Sequence, residues 1–333
     1  MTPRTEHIRW NTEGNSTRKR HLSYPPLLLG GPTGSGKNQL ALEVAAFFPA
    51  EIINADSRQI YQELPVGTNQ PSAAERKKVP HHLFAFIHPS EPFSAPQYEK
   101  LAVPLIEAIV SGNRLPLLVG GTGFYMKAVL KGSWLVPPKD PDLRKRFQDW
   151  QARHGTDFLH KVLFRVDRDA AAKIPAADTY RVIRALEIFF QSGMRSSSLQ
   201  HQKTDRFHAL KFYLEPSRDA LQARLQSRLE RMFAQGWIEE VRHLLQKYPD
   251  FESFPAAQSI GYREAIRLID GEIDEATCKQ LVLRKTLQYA KRQLTWFRNQ
   301  DEFKRLNETD PLHEIRVSIE QFSTAKSAKN AKE

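Results

Sequence analysis

Leu27-Leu28-Leu29-Gly30-Gly31-Pro32-Thr33-Gly34-Ser35-Gly36-Lys37-Asn38 passes from an apolar run into a glycine-rich turn, and apolar residues at helical spacing begin at Leu40. A strand, a glycine loop and a helix N-terminus in that order make a phosphate cradle. Backbone N–H groups converge on an anion and Lys37 adds a positive charge. The stretch therefore predicts an α/β fold with a parallel sheet flanked by helices, and Gly31, Pro32, Thr33, Gly34, Ser35, Gly36 and Lys37 as contacts to a phosphoryl or diphosphoryl group. A glycine turn with a surface lysine is the plainer alternative. The G-x-x-x-x-G-K pattern asks next for a Ser or Thr hydroxyl on Mg²⁺, and Asn38 stands there instead. An amide oxygen can also ligate Mg²⁺, so Asn38 is the candidate metal ligand of a weakened site.

The 333 residues suffice for one large or two ordinary domains. A net charge of +11 and a pI near 9.6 point to a polyanionic partner such as nucleic acid, with a merely basic surface as the alternative. Cys278 is the single cysteine, which excludes an intrachain disulfide and a Cys-based zinc cluster and fits a reducing, cytoplasmic setting. No apolar run approaches the roughly 20 residues needed to span a bilayer, so no membrane association is expected. Residues 1–24 carry Arg4, Arg9, Arg18, Lys19 and Arg20 with Glu6 and Glu13 and no apolar core. They read as a disordered basic extension rather than a secretory signal.

Leu40, Ala41, Val44, Ala45 and Phe48 predict a first helix on a sheet, ended by Pro49. Glu51 to Ala55 then read as a buried strand, followed at once by Asp56-Ser57-Arg58-Gln59. Ligands of open parallel sheets sit beyond the carboxyl ends of the strands, which puts Asp56 beside the phosphate loop. A carboxylate there reads as a metal ligand or proton acceptor; a helix cap is the alternative. His81 and His82 are adjacent, point to opposite faces of an extended chain, and read as structural or substrate-lining. A helix over 95–110 is expected to bury Leu101, Leu105, Ile106 and Ile109. The next strand, Leu115 to Val119, closes on Gly120-Gly121-Thr122-Gly123, without the acidic residue that a motor ATPase would place there.

Beyond Gly132 the strand–helix alternation stops. Residues 133–205 read as an all-helical insertion with Arg144, Lys145, Arg146, Arg181 and Arg184 facing outward, ending in a polar linker from Ser192 to Asp205. His208 to Leu214 returns as a strand, and a helix with Leu221, Leu225, Leu229 and Met232 inward stops at Gly236. Ala257 to Glu264 forms a glycine-containing loop entering a helix, where Arg263 is a candidate bidentate phosphate contact or a surface arginine. A last long helix, Asp274 to Arg298, carries Leu283, Leu287, Ala290, Leu294 and Phe297 on one face. Arg284, Gln288, Lys291, Thr295 and Arg298 form a polar stripe near Trp296, suited to a nucleic acid backbone or to solvent. The α/β core is thus expected over 25–132 and 206–310, and 311–333 as a tail that is disordered from Ser323.

Separated strings then agree in order. Gly31 to Lys37, Ala55-Asp56-Ser57-Arg58-Gln59-Ile60-Tyr61, Val79-Pro80-His81-His82, Val119-Gly120-Gly121-Thr122-Gly123-Phe124-Tyr125, Arg181 to Glu187, Ile260-Gly261-Tyr262-Arg263-Glu264 and Lys291 to Arg298 resemble the tRNA dimethylallyltransferase family over about residues 25 to 300. The resemblance implies a P-loop NTPase-like core whose loop holds dimethylallyl diphosphate rather than spending ATP. It implies transfer of the prenyl group to the exocyclic N6 of the adenosine 3′ to the anticodon of tRNA. It further implies Asp56 as general base, Thr122 at the reacting centre, and Ser35, Gly36 and Lys37 on the diphosphate with Arg263 assisting. The tRNA site would draw on Asp56, Ser57, Arg58, Gln59, Thr122, Arg144, Tyr180, Arg181, Val182, Ile183, Arg184, Gln258, Ser259, Ile260, Gly261, Tyr262 and Arg263. Mg²⁺ is the expected cofactor, the anticodon stem-loop and dimethylallyl diphosphate the expected partners, and a monomer the expected state. Asn38 departs from the family's Thr, Asn69-Gln70 from Ala-Lys, and Ala177 from Asn.

The chemistry needs such residues. The adenine amino group is a weak nucleophile, so a base must take its proton as the C–N bond forms. The leaving diphosphate needs positive charge, and water must be excluded while the base leaves its stack. An ATP-dependent small-molecule kinase is the rival enzyme reading, a motor ATPase is disfavoured by the missing acidic strand end, and a non-catalytic RNA-binding module would leave the cradle and Asp56 idle.

Overall fold

A computed structural model of the chain describes residues 24–132, 137, 139–199 and 205–330, with side chains described as far as 324. The basic residues of the amino-terminal extension, part of the polar linker and the last three residues lie outside these. The apolar run Leu27–Gly30 is β1, and all four residues are buried. Its alternation assigns its faces: Leu27 and Leu29 pack into one cluster and Leu28 into another. A strand apolar on both faces needs helices on both sides, and each fully buried leucine contributes roughly 1.5–3 kcal/mol.

Around β1 stand β2 (Ala50–Asn54), β3 (His81–His82), β4 (Leu115–Gly120), β5 (Leu210–Tyr213) and β6 (Lys304–Arg305), in the order β3-β2-β4-β1-β5-β6. Every pairing is parallel. Interleaved with them are α1 (Lys37–Phe47), α2 (Ala73–Lys78), α3 (Ala95–Ser111) and α4 (Gly123–Lys131). The register pairs Gly30 with Gly120 and Asn54 with Val119, so β1, β4 and β2 end level with one another. The residues that follow these ends, Gly31, Thr122 and Asp56, are thereby brought to one edge of the sheet.

The insertion consists of α5 (Pro141–His154), α6 (Thr156–Val166), α7 (Arg168–Lys173) and α8 (Thr179–Ser192), packed around their own core of Phe147, Leu159, Leu163, Val182, Ile183 and Leu186. Where the chain leaves and rejoins the sheet, Lys131 Nζ lies 2.8 Å from Asp205 Oδ1, and the Arg206 N–H donates to the Leu130 carbonyl at 2.7 Å. The remaining helices are α9 (Arg218–Ala234), α10 (Trp237–Lys247), α11 (Tyr262–Ile269), α12 (Glu275–Arg298) and α13 (Pro311–Asn330). Trp237, Val241, Tyr262 and Ile266 build a third apolar cluster with Leu229 and Met232 of α9.

Several expectations need correction. The segment from Ser323, read as disordered, continues α13 to Asn330, and Ile315 and Ile319 of that helix are buried in the same cluster as Leu40 and Val44 of α1. The core therefore extends past residue 310. In α3 the buried face is Tyr98, Ala102, Ile106 and Ile109, while Leu101 is exposed: the sheet meets a face one position away from the one expected. Gly236 stops α9 as expected, but in its left-handed conformation (φ 82°) it turns the chain directly into a further helix, α10. On α12 the buried positions are Cys278, Val282, Ala290, Gln293 and Phe297, so a polar residue occupies the inner face.

Candidate active site

The glycine loop joins β1 to α1 as the sequence predicts, with Gly34 and Gly36 at φ 78° and 91°, where a side chain would be strained. Lys37 is buried and its Nζ donates to the Pro32 carbonyl at 3.1 Å. Burial lowers its pKa to about 8, against the opposing pull of the Asp56 carboxylate and with help from Arg228. Ser35 Oγ is buried with no hydrogen-bond partner. A buried hydroxyl without a partner in a glycine cradle has a hydrogen bond to give to an anion's oxygen.

Two residues that sequence reasoning missed complete the cradle from α9. Arg224 Nη1 donates to the Ser35 carbonyl at 3.1 Å, and Arg228 Nη1 donates to Thr33 Oγ1 at 2.7 Å. Arg228 has no carboxylate of a described residue within ion-pair distance, its Nε is buried without a hydrogen-bond partner among them, and burial lowers its pKa. A desolvated guanidinium without a counter-ion is costly unless an anion arrives. Arg263, expected at the diphosphate, is exposed and lies outside the cavity described next; Arg224 and Arg228 occupy that role's place. The available signal was arginines at i and i+4 flanking the apolar stripe of α9, which a solvated helix would show equally.

A cavity of about 530 Å³ opens from the glycine loop, lined by Thr33, Gly34, Gly36, Lys37 and Asn38 at one end. Asp56, Arg58 and Gln59 follow, and then Gln258, Ser259 and Ile260, with Tyr289 and Arg292 of α12 opposite. Asp56 is fixed by its neighbours: its N–H donates to Asn54 Oδ1 at 2.8 Å, and its Oδ1 accepts from the Arg58 N–H at 2.9 Å. Oδ2 accepts no hydrogen bond from any described residue, so it is the oxygen left to receive a proton. Thr122 Oγ1 accepts from the Ser57 N–H at 3.0 Å and donates to Ser57 Oγ at 3.2 Å, tying the end of β4 to the loop that carries Asp56. Tyr289 lines the same cavity, and burial with the Asp56 charge raises its pKa to about 12. Gln59 donates to the Thr68 and Asn69 carbonyls, which holds the 64–70 loop over the cavity.

The loop is held from below by Glu240, whose carboxylate accepts from the Val66 and Gly67 N–H groups and from the Tyr262 hydroxyl. Tyr262, expected at tRNA, is fully buried in this support. Val182 and Ile183 are likewise buried in the insertion's own core and present no side chain to a partner. Arg144 and Arg184, expected to project outward, converge on the fully buried Glu187, at 2.9 and 3.2 Å. Arg181 is exposed and pairs with Asp178, and Tyr180 is exposed with the Lys139 ammonium and Arg144 guanidinium against its ring. Among the described residues no cluster of His, Cys, Asp and Glu could hold a metal on its own. His82 pairs with Glu51 and His81 meets Phe84 edge to face, the structural reading of both. Asn38 lines the cavity and its amide makes no hydrogen bond to a described residue. Its oxygen is therefore free to ligate an ion shared with a bound phosphate.

Comparison with known proteins gives one consistent result. The family model described as IPP transferase matches residues 59–300. The tRNA dimethylallyltransferase of Syntrophobacter fumaroxidans is 39% identical over 302 residues, covering 90% of this chain and 88% of its own. The crystal structure of the full-length tRNA isopentenylpyrophosphate transferase from Bacillus halodurans superposes with a TM-score of 0.67 at 32% identity, over 93% of this chain and 100% of its own. A eukaryotic dimethylallyltransferase, described as acting on tRNA, superposes with a TM-score of 0.71 at 26% identity, over 89% of this chain and 78% of its own.

Proposed function

The chain belongs to the IPP transferase family, and from that premise we propose that it moves the dimethylallyl group of dimethylallyl diphosphate to N6 of the adenosine 3′ to the anticodon of tRNA, releasing diphosphate. One observation carries the assignment of parts. A cradle with two desolvated cations, Lys37 and Arg228, shares a single cavity with a carboxylate whose Oδ2 is unengaged. The cradle suits a diphosphate, and the carboxylate suits an amino group that must lose a proton.

In this reading the diphosphate lies on Gly34, Ser35, Gly36 and Lys37, with Arg224 and Arg228 over it. As N6 attacks the allylic carbon, the C–O bond breaks and its electron pair leaves on the diphosphate oxygen. Asp56 Oδ2 takes the proton released from nitrogen. Lys37 and Arg228 stabilise the leaving charge in a site of low dielectric. Thr122 and Ser57 keep the base-bearing loop in place. The adenosine enters from the Gln258–Ile260 side, extruded from its stack. Arg292, Tyr180 and Arg181 are positioned for phosphate and base contacts of the anticodon stem-loop. Asn38 and the diphosphate oxygens would hold Mg²⁺, which would add positive charge on the leaving group.

Purified protein is given labelled dimethylallyl diphosphate and unmodified tRNA, with labelled ATP in a parallel tube. Label is expected in RNA from the first and nowhere from the second; nucleotide hydrolysis without prenylated RNA would favour a kinase or motor. Asp56→Asn is expected to lower turnover on the order of 10²-fold or more with tRNA affinity retained. Loss of tRNA binding in parallel would remove Asp56 from the base role.

A further inference from the structure

We propose that Gln293 is a positioning residue of the donor site, joining the glycine loop to the Gly121–Thr122 turn through one buried amide. The inference rests on the reading of the cradle as the diphosphate site. Gln293 lies on the inner face of α12 and is 5% exposed among apolar neighbours. Its Oε1 accepts from the Thr33 N–H at 2.9 Å, and its Nε2 donates to the Gly121 carbonyl at 3.0 Å. The first partner belongs to the anion loop and the second to the turn before Thr122. No other described side chain hydrogen-bonds to both segments.

The fit around the amide is close. A Cβ built on Gly121 would stand 2.0 Å from Gln293 Nε2, and one on Gly123 would stand 2.2 Å from the Trp296 ring of the same helix. Gly121 and Gly123 thus let α12 come close enough for the amide to reach both segments. What the amide holds is functional. Thr33 carries the hydroxyl to which Arg228 donates, and Thr122 carries the hydroxyl that receives the Ser57 N–H beside Asp56. Gln293 therefore sets the tip of the donor loop, and through it the uncompensated guanidinium, relative to the loop bearing the carboxylate.

Inorganic diphosphate binding is followed by calorimetry, the KM for dimethylallyl diphosphate by transfer to tRNA, and tRNA affinity by filter binding. Gln293→Met keeps the volume and removes both hydrogen bonds. It is expected to weaken inorganic diphosphate and raise the donor KM on the order of 10-fold, with tRNA affinity within about twofold. Gln293→Glu adds a signature that a merely structural role would not produce. Protonated, the carboxylic acid offers one donor and one acceptor as the amide does; ionised, it turns negative charge on the Gly121 carbonyl. The ionisable groups around the cavity, Lys37, Asp56, Arg228 and Tyr289 among them, are common to wild type and variant. The ratio of the two activities isolates the new group and should rise as pH falls from about 8 to about 6.

Unchanged diphosphate binding in Gln293→Met would overturn the proposal. So would a loss shared equally by diphosphate and tRNA with a flat Gln293→Glu ratio. The calorimetric measurement needs no prenyl transfer, so failure of the prenyltransferase reading would show separately, as absent product with wild-type protein.

Discussion

Donor binding should weaken as pH rises, because Lys37 loses its charge near pH 8. If only the ammonium form binds diphosphate, the apparent dissociation constant scales as one plus the ratio of neutral to charged lysine. That ratio is about 0.1 at pH 7 and about 10 at pH 9, so affinity falls about 10-fold across the interval. The organic diphosphate has already lost its last proton over most of this range, which leaves the lysine as the titrating partner. Stability moves the other way. The folded pKa lies below the unfolded value near 10.5, so the unfolded chain binds more protons between about pH 8 and pH 10.5. The lysine's contribution to stability therefore rises with pH through that window, by up to roughly 3 kcal/mol. Calorimetric titration of dimethylallyl diphosphate at pH 7, 8 and 9 (about one unit apart) with wild type and Lys37→Met checks both parts. The expected result is a tenfold loss for wild type and a weak, pH-independent affinity for the variant. A flat wild-type curve, or the same slope in Lys37→Met, would refute the reasoning.

Arg228→Met should separate function from stability: donor KM rises on the order of 10²-fold while thermal melting stays within a few degrees, since the guanidinium is partly exposed and makes one hydrogen bond, to Thr33, and no ion pair with a described residue. A lower melting temperature with unchanged KM would make Arg228 a structural brace. Glu187→Ala should destabilise the helical insertion by about 2 kcal/mol, below the full cost of a broken buried pair because water reaches the two arginines. Their side chains are 23% and 21% exposed. Denaturant unfolding measures the loss, and filter binding should show weaker tRNA affinity as Arg144 and Arg184 lose their common anchor.

The legible parts of this molecule are those whose physics is local. An apolar run, a glycine turn and a helical period suffice to place β1, the loop and α1. The rule that ligands gather at strand ends then brings Asp56 and the turn before Thr122 to the same edge. Arg224, Arg228 and Gln293 were not legible, because each acts on a residue about 190 to 260 positions away. Their helical periods say only that they are polar. Gln293 lies between positions assigned to the apolar face and the outer stripe, and nothing in its spacing tells a bridge from a solvated amide. The strings shared with the family marked Val182, Ile183 and Tyr262 as part of the tRNA site. Burial shows instead that these side chains hold the scaffold from which Arg181 and Gln258 project. The tail was misread through its composition, since the Ala- and Lys-rich stretch from Ser323 looks solvated, whereas it continues the helix that Ile315 and Ile319 seat against α1.

The salt bridge between Lys131 and Asp205 closes the two chain crossings into a single narrow neck. The sheet is already continuous without the helices beyond that neck, since β4 and β5 both lie directly against β1. An architecture of this kind allows the helical part, to which the proposed function gives the RNA contacts, to be exchanged without rebuilding the part that carries the glycine loop. A chimaera cut at the neck, carrying a different helical reader, should keep its appetite for the donor and change only which nucleic acid it alkylates.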